Sequence, residues 1–292
     1  MFNTLVASLL LTQSITAQSG FVRSIKRTDG VEVSQTLTRR LVAPGKPDVY
    51  LVGAAHIGAK EYYSEIQQVL NAQAVVLFEG VKSKGRPSVP AKPDPKGPRA
   101  MYQILGDAVG LDFQLVDIDY NHPGWINSDL SMEELDRLNK TGGKGKPTQF
   151  DSVEKMLDPN SPQTKMVADF FKSASPSVKE AIKIFLVEKL AKIDTLLAAS
   201  LDPTTLNVLL AARNKSVEKV FEKTITAPQP PASIAIFYGA AHQIELQKAL
   251  TAKYGYKPAG DQWFTFAKAD RRKLDATGRQ FLDTLGTMAK SF

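Results

Sequence analysis

The chain of 292 residues contains no cysteine. That excludes disulfides, thiolate metal ligands, a cysteine nucleophile and a lipid-anchoring cysteine, so any reactive or metal-holding group must be of another kind. Histidine is nearly absent too, at three residues. No apolar run approaches the roughly 18 residues of a membrane span, so none is expected. Acidic residues are outnumbered, leaving a net charge of +7. The excess sits in two Gly/Pro-rich stretches: 82–99, which carries five prolines, and 140–148, with Lys140, Lys144 and Lys146. No aromatic residue lies among these basic positions, so they offer no base-stacking surface and read as solvated loops; no nucleic-acid partner is expected. The hydrophobic share of 43% and charged share of 23% belong to a globular protein and exclude a wholly disordered one.

Residues 1–17 have the pattern of a signal peptide: the short apolar run Leu5–Leu11, then polar residues and a small-residue cleavage site at Ala17. An exported protein, periplasmic or secreted, is the expectation, with 18–292 as a single domain.

The body of the chain alternates strands and helices. Phe21–Val42 has β character, and Val31–Leu37 suits a strand of an antiparallel pair. Val49–Val52 is a buried strand stopped by Gly53; Lys60–Leu70 has helical spacing, with Tyr63, Ile66 and Leu70 on one face; Ala74–Phe78 is a second buried strand. Strand, helix, strand predicts a parallel βαβ unit. A helix over Arg99–Leu105 and a strand over Phe113–Ile118 follow. From about 152 to 225 the pattern is helical, best over Val178–Leu197, where Ile182, Phe185, Leu186 and Lys189 share a stripe; another helix starts at Asp202-Pro203. Ile234–Tyr238 is a third buried strand, followed by a helix over Ile244–Tyr254, a strand over Trp263–Phe266 and a closing amphipathic helix over Arg271–Phe292 with Leu274, Phe281, Leu285 and Met288 as its stripe. The expected fold is α/β: a mixed central sheet flanked by helices, with a long helical insertion (about 152–225) between its two halves.

Two of the three histidines end identical tetrapeptides, Gly53-Ala54-Ala55-His56 and Gly239-Ala240-Ala241-His242, each directly after a buried strand. Open α/β sheets place ligands at the C-terminal ends of their strands. The bland alternative is a pair of core histidines at tight strand exits. Glu79 ends another buried strand, where a carboxylate is costly unless paired or solvated at a cleft; it is a candidate ligand or base, or else a helix-capping or salt-bridging residue. Leu206, Leu210, Arg213, Val217 and Val220 step by four, three, four and three, which puts Arg213 on the inward face of a helix. A buried guanidinium needs a carboxylate, phosphate or carbonyl to meet, whether for catalysis or in a structural ion pair. Asn214 beside it has the groups to hydrogen-bond a neighbour or substrate. Asp117, Asp119 and His122 are close in sequence, but spacing this local is weak for a metal site, and they read as loop-ordering residues.

In this combination the sequence resembles the TraB/PrgY/GumN family, which is related to the Tiki metalloproteases. The shared pattern is two GxxH motifs (Gly53–His56 and Gly239–His242), a Glu after the strand that follows the first (Glu79), an Arg-Asn pair on a helix before the second (Arg213-Asn214), and a Gly-Tyr ending (Gly255-Tyr256). It covers roughly Val49–Phe266. Where the family often has a glycine soon after the second motif, this chain has Gln243-Ile244-Glu245. The resemblance implies a mixed-sheet fold shared with erythromycin esterase and haem-binding ChaN proteins. It also implies a metal-dependent hydrolase, most of all a peptidase, acting on a peptide or protein. His56, His242 and Glu79 are then the expected ligands of a divalent transition metal (manganese, cobalt or zinc), and Glu79, Arg213, Asn214 and both histidines the expected catalytic set. The alternative within the same fold is a non-catalytic protein that sequesters a peptide or binds haem or iron.

Overall fold

The structure, a computed structural model, describes residues 14–80, 101–142, 160, 162–190 and 210–288. The strands are β1 (Ser14–Ser19), β2 (Val22–Lys26), β3 (Val31–Val42), β4 (Asp48–Ala54), β5 (Ile57–Gly58), β6 (Val75–Phe78), β7 (Asp112–Phe113), β8 (Trp125–Asn127), β9 (Ser233–Gly239) and β10 (Lys257–Asp270). The helices are α1 (Lys60–Asn71), α2 (Met101–Val109), α3 (Gln114–Asp117), α4 (Met132–Gly142), α5 (Pro162–Ser173), α6 (Pro176–Leu190), α7 (Ala212–Ile225), α8 (Ala240–Tyr254) and α9 (Ala276–Met288). The fold is α/β, a mixed sheet flanked by helices, with strand order β1-β2-β3-β4-β9-β6-β8 and β10 paired to β3.

Half of this sheet is parallel. β4 pairs β9, β9 pairs β6 and β6 pairs β8, all in the same direction. β4 and β6 thus have the parallel sense expected of a βαβ unit but are not neighbours. β9 lies between them and has the longest unbroken run of buried residues of any described strand: Ile234, Ala235, Ile236, Phe237 and Tyr238 are all at most 1% exposed. Strands covered on both faces belong at the centre of such a sheet. The insertion puts the end of the second GAAH strand directly between the end of the first and the end of the strand before Glu79.

The other half is antiparallel and forks. β3 pairs β10 along its whole length, from Val31 to Val42. On its other side it pairs β2 through residues 32–36 and β4 through residues 38–41. The sheet therefore splits near Leu37, at the C-terminal end of β4. A register shift in β10 between Thr265 and Ala267 falls beside the split.

Several sequence expectations shift in the folded chain. The expected strand over 113–118 is only Asp112–Phe113, followed by the helical turn α3. The chain is diverted there because the main-chain N–H of Gln114 donates to the oxygen of His56. The helix after the second GAAH begins at Ala240 rather than Ile244, so His242 stands in its first turn. The last strand extends to 14 residues, and the closing helix is a 3-10 turn at Arg271–Lys273 and then α9. On α6 the deepest residues are Ala181, Ile184 and Val187, while Phe185, Leu186 and Lys189 are half-buried. That helix is covered on more than one side, by β3, β10 and α9, so a single stripe does not describe it. Lys140–Gly142 close helix α4 rather than a loop; the rest of 140–148, the loop 82–99, the start at Asp202-Pro203, Leu206 and residues 1–13 lie outside the described residues. Ser14–Ala17, the end of the expected leader, belong to β1 on the edge of the sheet.

Helix α1 fastens the first GAAH turn. Its apolar face buries Tyr62, Tyr63, Ile66 and Leu70. The Tyr62 hydroxyl accepts from the N–H of Ala55 at 3.1 Å and lies 3.0 Å from the Thr36 hydroxyl. The Tyr63 hydroxyl donates to the oxygen of Ala55 at 3.0 Å. Tyr62→Phe strands the Ala55 N–H and should cost about 1–3 kcal/mol, the usual penalty for an unsatisfied buried group. Denaturant unfolding measures it; an unchanged midpoint would show that Tyr62 only fills space.

Candidate functional site

All four parallel strands deliver a polar group at their C-terminal ends. After β4 comes His56, after β9 comes His242, after β6 comes Glu79, and after β8 comes Asp129. This is the edge on which parallel α/β sheets place their sites. His56, Glu79, Arg213 and His242 line one cavity of about 370 Å³, and the two imidazoles meet there although 186 positions separate them.

Glu79 is the hub. Arg213 Nη2 donates to its Oε1 at 2.6 Å, and the Gly239 N–H donates to its Oε2 at 2.6 Å. Glu79 is thus both salt-bridging and helix-capping, the bland alternative to a ligand or base that its sequence position left open. It sits at the N-terminus of α8, where the helix dipole favours a negative charge. Burial alone would raise its carboxyl. The Arg213 guanidinium, the two imidazoles and the Gly239 N–H outweigh that and hold it well below the ordinary carboxylate range. Arg213 shifts in the complementary sense: burial opposes its charge, and Glu79 and Asp129 more than restore it.

Asp129 carries no signal in the sequence. It is 1% exposed and receives Arg213 twice, from Nε to Oδ1 at 2.9 Å and from Nη2 to Oδ2 at 2.5 Å. The Gly80 N–H also donates to it. Two-pronged recognition of this kind fixes the plane of the guanidinium. Arg213 thus grips two carboxylates through Nε and Nη2, a geometry that fixes Glu79. Its helix α7 continues backward through a π turn at 210–211, and Val217 and Phe221 anchor its inner face.

Each imidazole is held at Nδ1 by a side-chain amide. His242 Nδ1 is 2.7 Å from Asn214 Oδ1, and the amide nitrogen of Asn214 faces the main-chain oxygen of His242 at 3.4 Å. A carbonyl only accepts, so the amide oxygen must face the ring, and Nδ1 carries the hydrogen. His56 Nδ1 is 3.0 Å from Gln114 Oε1, and Gln114 Nε2 donates to the Tyr120 hydroxyl at 2.8 Å. Gln114, like Asp129, is a site residue that sequence reasoning misses. In His242 the second nitrogen, Nε2, therefore keeps its lone pair, and His56 Nε2 faces Gly239. His242 Nε2 lies 3.8 Å from Glu79 Oε1. Burial, working against the attraction of Glu79, lowers the His242 pKa to about 4, so this ring is neutral near pH 7. His56 is exposed at the cleft mouth.

Gly239 marks the point of convergence. A methyl group placed there would be 3.3 Å from Glu79 Oε2, 3.5 Å from His56 Nε2 and 3.7 Å from His242 Cδ2. Gly53 is bare for a different reason. A side chain there would press on the Leu37 oxygen at 3.1 Å and on Ala240, so its bareness admits the start of α8. Gln243 turns away from the cleft and donates to the oxygens of Val52, Ile236 and Tyr238.

As donors, two Nε2 lone pairs and a carboxylate have the chemistry of a divalent transition-metal site, and Nδ1 latches of this kind commonly orient metal-binding histidines. Among the described residues, no three His, Asp or Glu side chains already stand together as a metal-holding group; Glu79 has both oxygens engaged. Asp117, Asp119 and His122 are not part of the cleft. His122 pairs with Asp119 at 3.4 Å and stacks on Trp125, and Asp119 orders the turn at Asn121.

No protein-family model, curated protein or solved structure matches the chain.

Arg213→Met leaves two buried carboxylates facing each other. Removing one partner of a buried ion pair costs about 3–5 kcal/mol, and Arg213→Lys should recover little because it lacks the planar fork. Neutralising both acids together with it, in Arg213→Met/Glu79→Gln/Asp129→Asn, should restore much of the loss. Thermal melts of the three variants check this; a melting temperature unchanged in Arg213→Met would show that the ion network is not closed in solution.

Proposed function

We propose that the cleft is the active site of an exported hydrolase that cuts a peptide-type acyl bond, in line with the resemblance to the TraB/PrgY/GumN family. One observation carries the reading. Two imidazoles from distant parts of the chain each have Nδ1 latched to an amide oxygen and leave Nε2 free, around the bare Cα of Gly239 and the ionised Glu79. A structural histidine gains nothing from an unpaired Nε2 beside a carboxylate, whereas a base or ligand requires it. The exported location rests on Leu5–Leu11 and Ala17.

The division of labour follows from exposure and charge. His56, at the mouth, is the group placed to take a proton from water as its oxygen attacks the carbonyl carbon, and to return that proton to the departing amine. His242, buried and neutral, presents a lone pair and no charge. Glu79 keeps a fixed negative charge beside both rings and stabilises an imidazolium when it forms. Arg213 and Asp129 hold Glu79 in place. A manganese, cobalt or zinc ion bound by the His56 and His242 Nε2 atoms with Glu79 would supply an acidified water and a Lewis acid for the carbonyl.

The test is turnover of a peptide library by the purified protein, with and without manganese, cobalt or zinc. Cleavage lost with chelator and in His56→Ala supports a metal-dependent hydrolase; cleavage that survives chelator assigns the chemistry to the side chains alone. Stoichiometric binding of peptide or haem without cleavage would replace the enzyme reading with a carrier. Gly239→Ala sharpens the test. Its backbone, at φ −46 and ψ 140, accepts alanine, and the new methyl meets only ordinary or slightly tight contacts. The variant should melt close to the parent and lose turnover by about a hundredfold or more, the scale on which one catalytic interaction is lost. Full activity in Gly239→Ala would mean the reaction does not occur between these groups.

A further inference from the structure

The cavity has a second half that the proposed chemistry does not use. It is bounded by Val22, Ala54, Ile57, Leu210, Ala241 and Phe266, with Thr36 turning its hydroxyl to Tyr62, and it exists because of the fork in the sheet. Val22 is the first residue of β2, on one arm, and Ala54 the last of β4, on the other. Phe266 lies in the irregular stretch of β10 between Thr265 and Ala267. The alanines of the two GAAH motifs, where larger apolar residues would fit the buried pattern, leave the space open. About 370 Å³ for the whole cavity is at the small end of ligand pockets, enough for one or two side chains.

The charged groups of the cavity lie in its ionic half, where they hold one another. Arg213 is taken by Glu79 and Asp129, and Glu79 by Arg213 and the Gly239 N–H. A charged side chain entering the fork would shed its water among apolar walls, a cost far above that of leaving an apolar one in water. We infer that the fork is a specificity subsite for an uncharged apolar residue flanking the bond to be cut, so that the substrates are peptides with an aliphatic or aromatic residue at that position. This rests on the hydrolase reading given above.

Pocket fit of this kind is worth about 10–200-fold per methylene. Among peptides differing at one position, leucine or phenylalanine should exceed aspartate or lysine by at least tenfold in kcat/KM. Ala241→Leu, at a half-exposed position in the first turn of α8, should fill the subsite and move the preference to alanine. Leu210→Ala should enlarge it and admit tryptophan. Equal cleavage of charged and apolar peptides, or an unchanged preference in both variants, overturns the inference while leaving the hydrolase reading standing. If no peptide is cleaved, the hydrolase reading fails, and the subsite is judged by binding alone. Acetyl-leucyl-leucine amide should then bind at least tenfold tighter than its aspartyl or lysyl counterpart, by ligand-detected NMR, and Ala241→Leu should abolish the difference. Equal affinities would overturn the subsite as well.

Discussion

The guanidinium of Arg213 holds the molecule's functional edge together. It joins helix α7 to Glu79, 134 positions away, and to Asp129, 84 positions away. Without it, the carboxylates of Glu79 and buried Asp129 would lose the cation they share. With it, Glu79 is fixed in an orientation that turns Oε2 to the Gly239 N–H. That bond sets the start of α8, where no side chain of the helix itself serves as a cap, and the start of α8 sets the position of His242. One ion network thus stabilises the chain and aims an imidazole.

The two histidines are held alike but surrounded differently. Both have Nδ1 against an amide, yet Asn214 and His242 are enclosed, while His56 stands at the mouth with only Gln114 behind it. Amides suit this role better than carboxylates would. An amide adds no charge, so the basicity of His242 is left to burial and to Glu79. Burial wins at His242, whose proton affinity falls despite the neighbouring negative charge. A paired site with one enclosed, neutral ring and one ring open at the cleft mouth follows from that difference.

Much of this is legible in the sequence, and the reasons for the remainder are physical. The histidines announce themselves by scarcity and by repeating one tetrapeptide. Glu79 and Arg213 stand out because each interrupts an apolar pattern, and such a break needs a partner. Asp129 gives no such signal: β8 is three residues long and partly solvated, so a polar residue after it breaks nothing. Gln114 is held by a turn that pairs β5 with β7, two residues each, below the length at which periodicity is readable. The insertion of β9 between β4 and β6 is a question of topology. Local spacing reports that two strands are parallel, while the burial of a third decides which neighbours they have. The face of α6 escapes for a related reason, since a helix covered on more than one side has no single stripe to find.

The repeated GAAH tetrapeptide invites the view that the two motifs do the same job, and the geometry argues otherwise. Gly53 is bare so that the first residue of α8 can come close, a packing requirement. Gly239 is bare so that three polar side chains can converge on one point, a requirement of the cleft. The alanines that follow serve the same opening from opposite walls, and they forgo apolar burial at positions where the surrounding strands are otherwise filled. Leaving a well-packed edge open in this way lowers stability at each position, since the lining atoms lose close neighbours on one side. The ion network of Glu79, Arg213 and Asp129 ties together the strand ends beside the opening. Compactness behind the cleft and space within it are therefore two outcomes of one arrangement.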